Sequence, residues 1–392
     1  MLKGWPEYEK YTFTDNVKLI SDGNSFFDLL EEIINRAEHT FQLQTYIFEN
    51  DFTGKKIIKA LKDAASRGVR TYILVDSFGT NHLSRKVIKE MKDAGINFRS
   101  FSPVMNFRSV SLGRRLHHKI AVADSKEALV GGINIADKYR DTPTHKGWLD
   151  FAVYVHGNIA AELDDICNRI WKRSIGNRSR QKHKTRTGRK FLVRVRENDW
   201  LRHKSKISRS YRQAFRTANK SIVMVAAYFL PGRQFRNLLR RASARGVDIH
   251  IVLAKSSDVK LVHYATRFLY AWMLRNNIKI HEYKNSNVHG KVAVIDKTWS
   301  TVGSFNLNYL SIYGSIELNL DILSTGFAND FSKKINSIIE SDCDTVIHED
   351  FKKRTYWYNR ILYWVSYQLT RISMLIAVYF STKPVGKNKL KE

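Results

Sequence analysis

The chain repeats itself, and this duplication limits its fold more than any other feature of the sequence. Residues 26–37 pattern as an amphipathic helix, followed by an apolar strand over 41–48, a second helix over 54–66, the turn Arg67-Gly68-Val69 and a strand over 70–75. The same order returns as a helix near 211–218, a strand over 221–229, a helix over 234–244, the turn Arg245-Gly246-Val247 and a strand over 248–253. Each copy then adds a further helix and a short strand, at 96–99 and at 278–281. Strands alternating with helices imply parallel sheet in an α/β arrangement, with Gly68 and Gly246 closing helices. Two such units should pack as pseudo-twofold partners. The expected organisation is a first half over 1–168, a basic linker over 169–205, a second half over 206–345 and a tail over 346–392.

At 392 residues with 43% hydrophobic content, the chain can bury two ordinary cores. Lysine and arginine number 66 against 37 acidic residues, a formal charge of +29. That is far beyond what solubility requires, so a polyanionic partner is expected, and nucleic acid and acidic lipid both fit. The linker is dense in Arg178, Arg180, Lys182, Lys184, Arg186, Arg189 and Lys190, readable as solvated surface or as a patch drawn to anionic lipid. Cys167 and Cys343 have neither disulfide nor metal-ligand spacing. The first residues lack the apolar core of a secretory signal, which places the catalytic part on the cytoplasmic side as an expectation.

The chemistry also appears twice. The first half reads His117-His118-Lys119 with Asp124 five residues on, then Gly131-Gly132-Ile133-Asn134. The second reads His289-Gly290-Lys291 with Asp296, then Gly303-Ser304-Phe305-Asn306. Side chains two apart on a strand share a face, so each half offers one imidazole and one cation to a common pocket. Asn134 and Asn306 can donate amide hydrogens to the same anion. Two imidazoles facing a phosphodiester suggest that one attacks phosphorus while the other protonates the leaving oxygen. The lysines and amides would neutralise charge on the equatorial oxygens, and neither metal nor cofactor is called for. Asp124 and Asp296 lie an odd number of residues from their histidines and are expected to face away, in structural duty.

These paired motifs resemble the phospholipase D superfamily over residues 16 to 340, and within it the bacterial cardiolipin synthases of the phospholipase D type. Thr45-Tyr46-Ile47-Phe48 before Asp51 and Gly54, the run Ala64 to Val69, Ile135-Ala136 after Asn134, Leu307-Asn308 after Asn306, and Trp148 with Asp150 all carry the likeness. So does the stretch 311–319 with Glu317. The resemblance implies two α/β/α sandwich halves packed around one active site and a phosphatidyl group carried on a histidine, with His117 the favoured nucleophile. It further implies that Ser304 and Glu317 order the site and that Asp150 orients His289. The implied substrates are phospholipids, phosphatidylglycerol first among them, at an anionic membrane surface; a hydrolase or a headgroup transferase is the alternative, and a nuclease a rival of another class.

Many such synthases begin with apolar membrane helices that have no counterpart ahead of residue 16, so attachment is expected from the tail. Wound as a helix, Ile361, Leu362, Val365, Leu369, Ile372, Ile376 and Tyr379 share one face, with Asn359, Ser366, Thr370 and Ser373 opposite. Arg371 at mid-span argues against crossing the bilayer, and the pattern suits a helix lying in the interface, with docking on the protein's own core or a single span as the other readings. A soluble nuclease has no use for such a terminus. The segment 101–116 combines apolar residues with Arg108, Arg114 and Arg115 and could rim a pocket that keeps water from an intermediate, or simply pack on itself.

Overall fold

The computed structural model describes residues 8–101, 115–172, 191–199, 202 and 204–382. The first half comprises β1 (Thr12–Thr14), β2 (Asn16–Ile20), α1 (Gly23–Arg36), β3 (Thr40–Thr45), α2 (Phe52–Ser66), β4 (Arg70–Asp76), α3 (Arg85–Asp93), β5 (Asn97–Phe101), β6 (Arg115–Leu116), β7 (Lys119–Ala123), β8 (Glu127–Gly131), β9 (Ala152–His156) and α4 (Asn158–Trp171). The second continues with β10 (Phe191–Asp199), β11 (Lys204–Ser205), α5 (Lys206–Thr217), β12 (Ser221–Ala226), α6 (Arg233–Ala244), β13 (Asp248–Ala254), α7 (Lys260–Phe268), α8 (Tyr270–Arg275) and β14 (Ile278–Tyr283). It closes with β15 (Lys291–Ile295), β16 (Trp299–Gly303), α9 (Tyr309–Tyr313), β17 (Ser315–Leu323), α10 (Thr325–Asp342), β18 (Cys343–Thr345), α11 (His348–Arg354) and α12 (Trp357–Thr382).

Local chemistry sets the helix ends. The Asp22 and Asp51 carboxylates accept the N–H groups of Ser25 and Gly54, each at 2.8 Å, capping α1 and α2. Gly68 and Gly246 end α2 and α6 at φ of +89° and +84°, which a β-carbon would disfavour. This lets the Val69 and Val247 N–H groups reach back to the carbonyls of Ala64 and Ala242, at 3.1 and 3.2 Å.

One sheet runs β2-β9-β8-β7-β3-β4-β5 and the other β1-β10-β17-β16-β15-β12-β13-β14-β18, so β9 to β5 in the first match β17 to β14 in the second. Within each half the parallel strand pairs are those of the triplets β3-β4-β5 and β12-β13-β14, while the motif strands pair antiparallel. The sheets are therefore mixed, because β7 and β8, like β15 and β16, are joined by tight turns rather than crossover helices. Asp124 and Ser125 have φ of 52° and 54°, and Asp296 and Lys297 have 53° and 50°. Positive φ at both central residues is the hairpin turn whose twist matches its strands, and Asp tolerates it.

The stretch expected to be a linker is largely structural where it is described. Helix α4 runs on to Trp171, and β10 joins β17 and β1 in the second sheet, in the place that β2 holds beside β9. Its arginines mislead the eye because they are buried. Arg194 and Arg196 lie 3.1 and 3.6 Å from the fully buried Asp321, which also accepts the Ser210 hydroxyl at 2.6 Å. The basic run 178–190 and the rim segment from 102 to 114 lie outside the described residues.

A shared core joins the halves, drawn from both sheets together with α4 and α10, and the rings of Phe151 and Phe331 meet across it at 5.4 Å. Outer cores lie under α1 and α2 in one half, and under α5, α6 and α8 in the other. Each fully buried Leu, Ile or Phe in these clusters contributes about 1.5–3 kcal/mol. Against the second half lies α12, with Tyr363 stacked on Tyr264 at 5.9 Å and Tyr367 tilted against Phe268 at 4.8 Å. Its small polar residues Ser366 and Thr370 face inward and are buried, whereas Ile361, Leu369, Ile372 and Ile376 remain 51–54% exposed. No described helix is long and apolar enough to cross a membrane. The lysines of residues 383–392 lie outside the described residues.

Candidate active site

The motif strands end at the seam between the halves, where the backbones are cross-wired. Strand β6 of the first half adds parallel to β17 of the second, and the N–H groups of His117 and His118 both donate to the Ile316 carbonyl, at 3.0 and 3.1 Å. Reciprocally, Leu149 bridges Val288, and the N–H groups of His289 and Gly290 both donate to the Leu149 carbonyl, at 2.8 and 2.9 Å. Each motif histidine is thus pinned one residue away from a carboxylate of the opposite half.

The side chains complete the exchange. His117 Nδ1 lies 3.0 Å from Glu317 Oε2, and His289 Nδ1 lies 2.6 Å from Asp150 Oδ2. A carboxylate at Nδ1 holds the ring proton there and leaves the Nε2 lone pair free toward a substrate. Glu317 is fully buried and also accepts the Ser304 hydroxyl; Asp150 accepts the N–H of Phe151 at 2.7 Å. The glycine motif makes room for this. A β-carbon on Gly132 would stand 2.3 Å from Asp150 Oδ1, and one on Gly303 the same distance from the Leu318 carbonyl oxygen.

Lys119 and Lys291 are almost wholly buried, and each turns its ammonium back to the carbonyl of its own motif histidine, at 2.6 Å for Lys119. Lys291 also lies 3.0 Å from His289 Nδ1. Burial, reinforced by the charge of Lys291, pulls Lys119 down to about 7. Burial brings Lys291 to about 8 against the pull of Asp150 and Glu317, and raises Asp150 to about 7 against the pull of Lys291. Both motif histidines are held below their usual range by burial. Glu317 counters this at His117, while Lys291, Lys119 and His117 add to it at His289. Groups from both halves therefore act on one another in a single low-dielectric site.

The two asparagines differ. The Asn306 side-chain carbonyl oxygen is buried with no hydrogen-bond partner among the described residues, while its backbone N–H donates to the Ser311 hydroxyl at 3.2 Å. Asn134 is tied internally: one amide hydrogen goes to the Tyr139 hydroxyl at 2.7 Å and its carbonyl accepts the Ile47 N–H at 3.1 Å, while the amide nitrogen carries a second hydrogen. Asp124 and Asp296 each take three backbone N–H groups at 2.7–2.9 Å, from Glu38, His39 and Thr40 and from Asn219, Lys220 and Ser221, and so clamp the loop leading into β3 or β12. Those three donors outweigh burial and lower the proton affinity of Asp124. The motif also tolerates asymmetry. His118 is buried, neutral at about 3 through burial and the adjacent Lys119, and bonded to Gln44 Oε1 at 2.9 Å. In the second half Gly290 stands in its place because a β-carbon there would meet Phe151 and Val225 at 3.1 Å.

Four aromatic residues surround the histidines. Tyr46 packs edge-on to His117 at 5.0 Å, and Tyr139, Trp148 and Tyr228 approach His289 at 5.4, 5.9 and 6.3 Å. Tyr228 holds a left-handed backbone at φ 46°, with its hydroxyl on both Asp258 oxygens at 3.0 and 2.9 Å. Aligning the repeats could have found it, since Tyr228 and Tyr46 both follow the first strand of their parallel triplet. Tyr139 reaches the site from a single helical turn after Asn134 and leaves no comparable mark in the sequence.

The family model described as "Cardiolipin synthase, PLD-like domain" matches residues 30–171 and 211–339. Cardiolipin synthase B of Salmonella typhi is 31% identical over 367 residues, covering 90% of this chain and 86% of that protein. The cardiolipin synthase of Halalkalibacterium halodurans is 26% identical, covering 90% and 71%. Among solved structures, the phosphatidylserine synthase of Haemophilus influenzae Rd KW20 aligns with a TM-score of 0.75 at 13% identity, over 94% of this chain and 97% of that one. This last likeness concerns the fold alone.

Proposed function

Because the chain belongs to the phospholipase-D-like family of cardiolipin synthases, we propose that His117 and His289 divide nucleophilic attack and proton transfer at one phosphatidyl-transfer site. The protein is a phosphatidyltransferase acting on phospholipids. In the mechanism, one imidazole Nε2 attacks the phosphorus of a phosphatidyl donor. The bond from phosphorus to the headgroup oxygen breaks, and the other imidazole, protonated, gives its proton to that oxygen. With phosphatidylglycerol as donor this leaves a phosphatidyl-histidine and free glycerol. The second imidazole, now neutral, takes the proton of an acceptor hydroxyl on a second phosphatidylglycerol. That oxygen attacks phosphorus, forms cardiolipin and frees the first histidine.

Glu317 and Asp150 hold the imidazole tautomers, while Lys119, Lys291 and the Asn306 amide meet the charge on the phosphoryl oxygens. Such preorganised charge is worth most in a dry site, and these groups are nearly all buried. The reading rests above all on the two reciprocal histidine–carboxylate pairs that cross between the halves. The exposed apolar strip of α12, with Trp357 and Tyr358 at its start, supports contact with the membrane surface through a helix lying in its plane.

Mass analysis of products from phosphatidylglycerol vesicles tests the proposal. Cardiolipin with glycerol in equal amounts is the expected result. Phosphatidic acid as sole product would assign hydrolysis instead, and intact lipid with cleaved DNA would assign a nuclease.

A further inference from the structure

A cavity of about 390 Å³ lies where α7, α8, α11 and the start of α12 meet, and catalysis makes no use of it. Phe351 and Tyr363 give it apolar walls, and Arg267, Arg275, Lys352 and Arg360 give it charge. Arg267 is already balanced by Glu282 at 2.7 Å. The other three cations come from three different helices, α8, α11 and α12, and none forms an ion pair with a described residue; the Nε of Arg275 donates to the Ala271 carbonyl at 3.1 Å. No carboxylate among the described residues lines the cavity. Three exposed like charges around one partly apolar recess make it attractive to an anion.

The surroundings indicate which anion. Arg360 on α12 is followed directly by Ile361 and Leu362, the start of the exposed apolar strip, and Trp357 and Tyr358 stand exposed just before it. A phosphate held by Arg275, Lys352 and Arg360 would have its acyl chains beside that strip and its glycerol at the level of the aromatic rings, which is how an interfacial helix meets lipid. The cavity is distinct from the catalytic centre. Helix α7 turns Val262, His263 and Thr266 toward Tyr228 and Val288, and Arg267 and Phe268 toward this recess.

We propose that this recess is a second, non-catalytic seat for the phosphate of an anionic bilayer phospholipid, fixing α12 and with it the orientation of the protein on the membrane. The proposal rests on the reading of α12 as a membrane-contact helix. Basic residues near an anionic surface draw it in, so three directed at one phosphate should dominate the response to anionic lipid.

The test is vesicle co-sedimentation of the full chain carrying His117→Ala to silence turnover, on neutral phosphatidylcholine and on phosphatidylcholine with roughly 20 mol% phosphatidylserine. The triple variant Arg275→Gln/Lys352→Gln/Arg360→Gln should lose at least about tenfold in affinity for the anionic vesicles while keeping its affinity for the neutral ones. A control triple of equal charge on the exposed face of α3, Lys86→Gln/Lys89→Gln/Lys92→Gln, should change anionic binding by no more than about twofold. Equal losses from the two triples would reduce the effect to diffuse surface charge and overturn the seat. Displacement from anionic vesicles by millimolar inorganic phosphate, but not by chloride of the same ionic strength, would make it a free-phosphate site and also overturn the lipid assignment. Failure of the parent chain to bind neutral vesicles would instead remove the membrane role of α12, so the two failures can be told apart.

Discussion

A histidine from one half and a carboxylate from the other cannot be placed together by reading either repeat alone. His117, Lys119, His289 and Lys291 stood out from their spacing, and Glu317 and Asp150 from the family likeness. Their pairing across the seam depends on β6 joining β17 and on Leu149 bridging Val288. The bond from the Asn134 amide to Tyr139 was not legible, because Tyr139 arrives by a turn that no periodicity marks. If the carboxylates hold the imidazole tautomers, Asp150→Asn and Glu317→Gln should each lower kcat by roughly a hundredfold to ten-thousandfold with little change in KM, as initial rates will show. Gly132→Ala puts a methyl group against the Asp150 carboxylate, so it should cost about 1–3 kcal/mol in denaturant unfolding and reduce kcat by a comparable route. The lysines set the pH response. In the free enzyme, proton loss from Lys119 near 7 and Lys291 near 8 removes charge that binds the phosphodiester. kcat/KM should therefore fall as pH rises from about 7 to 9 while KM climbs, and a flat profile through pH 9 would exclude this binding role.

At the scale of the element, the regular pieces were legible because their periodicity and punctuation agree. The helix ending at Ser66 and the strand beginning at Arg70 appear where Gly68 and the alternating apolar pattern put them, and the second half matches at Ala244 and Asp248. Strand β10 was not legible. Charged Arg194 and Arg196 alternate with valines, a pattern that suggests a solvated edge unless Asp321 is known to lie opposite. The same network makes a sharp test, since Asp321→Ala would leave buried guanidinium charge without its carboxylate. A loss of about 3–5 kcal/mol is expected in urea unfolding, and a change under about 1 kcal/mol would mean that the arginines are solvated after all. The tail was legible as an amphipathic helix. Its small polar residues Ser366 and Thr370 are buried and α12 packs on α7, which leaves the apolar stripe outward. Replacing Ile361, Leu369, Ile372 and Ile376 by Ser should leave the thermal midpoint nearly unchanged and reduce vesicle association by at least about tenfold.

At the scale of the whole molecule, the proposed mechanism requires both copies of the duplicated motif. Each half supplies an imidazole and a cation but borrows the carboxylate that orients its imidazole, so neither half carries a complete site. The shared core of α4, α10 and both sheets holds the halves in that register. The most direct measurement is turnover of phosphatidylglycerol by His117→Ala, by His289→Ala and by the double variant. Residues that act as one unit fail together, so each single change should cost at least about a thousandfold and the double little more. A single variant with near wild-type turnover, or losses that multiply in the double, would mean that the two histidines do not share one phosphorus atom.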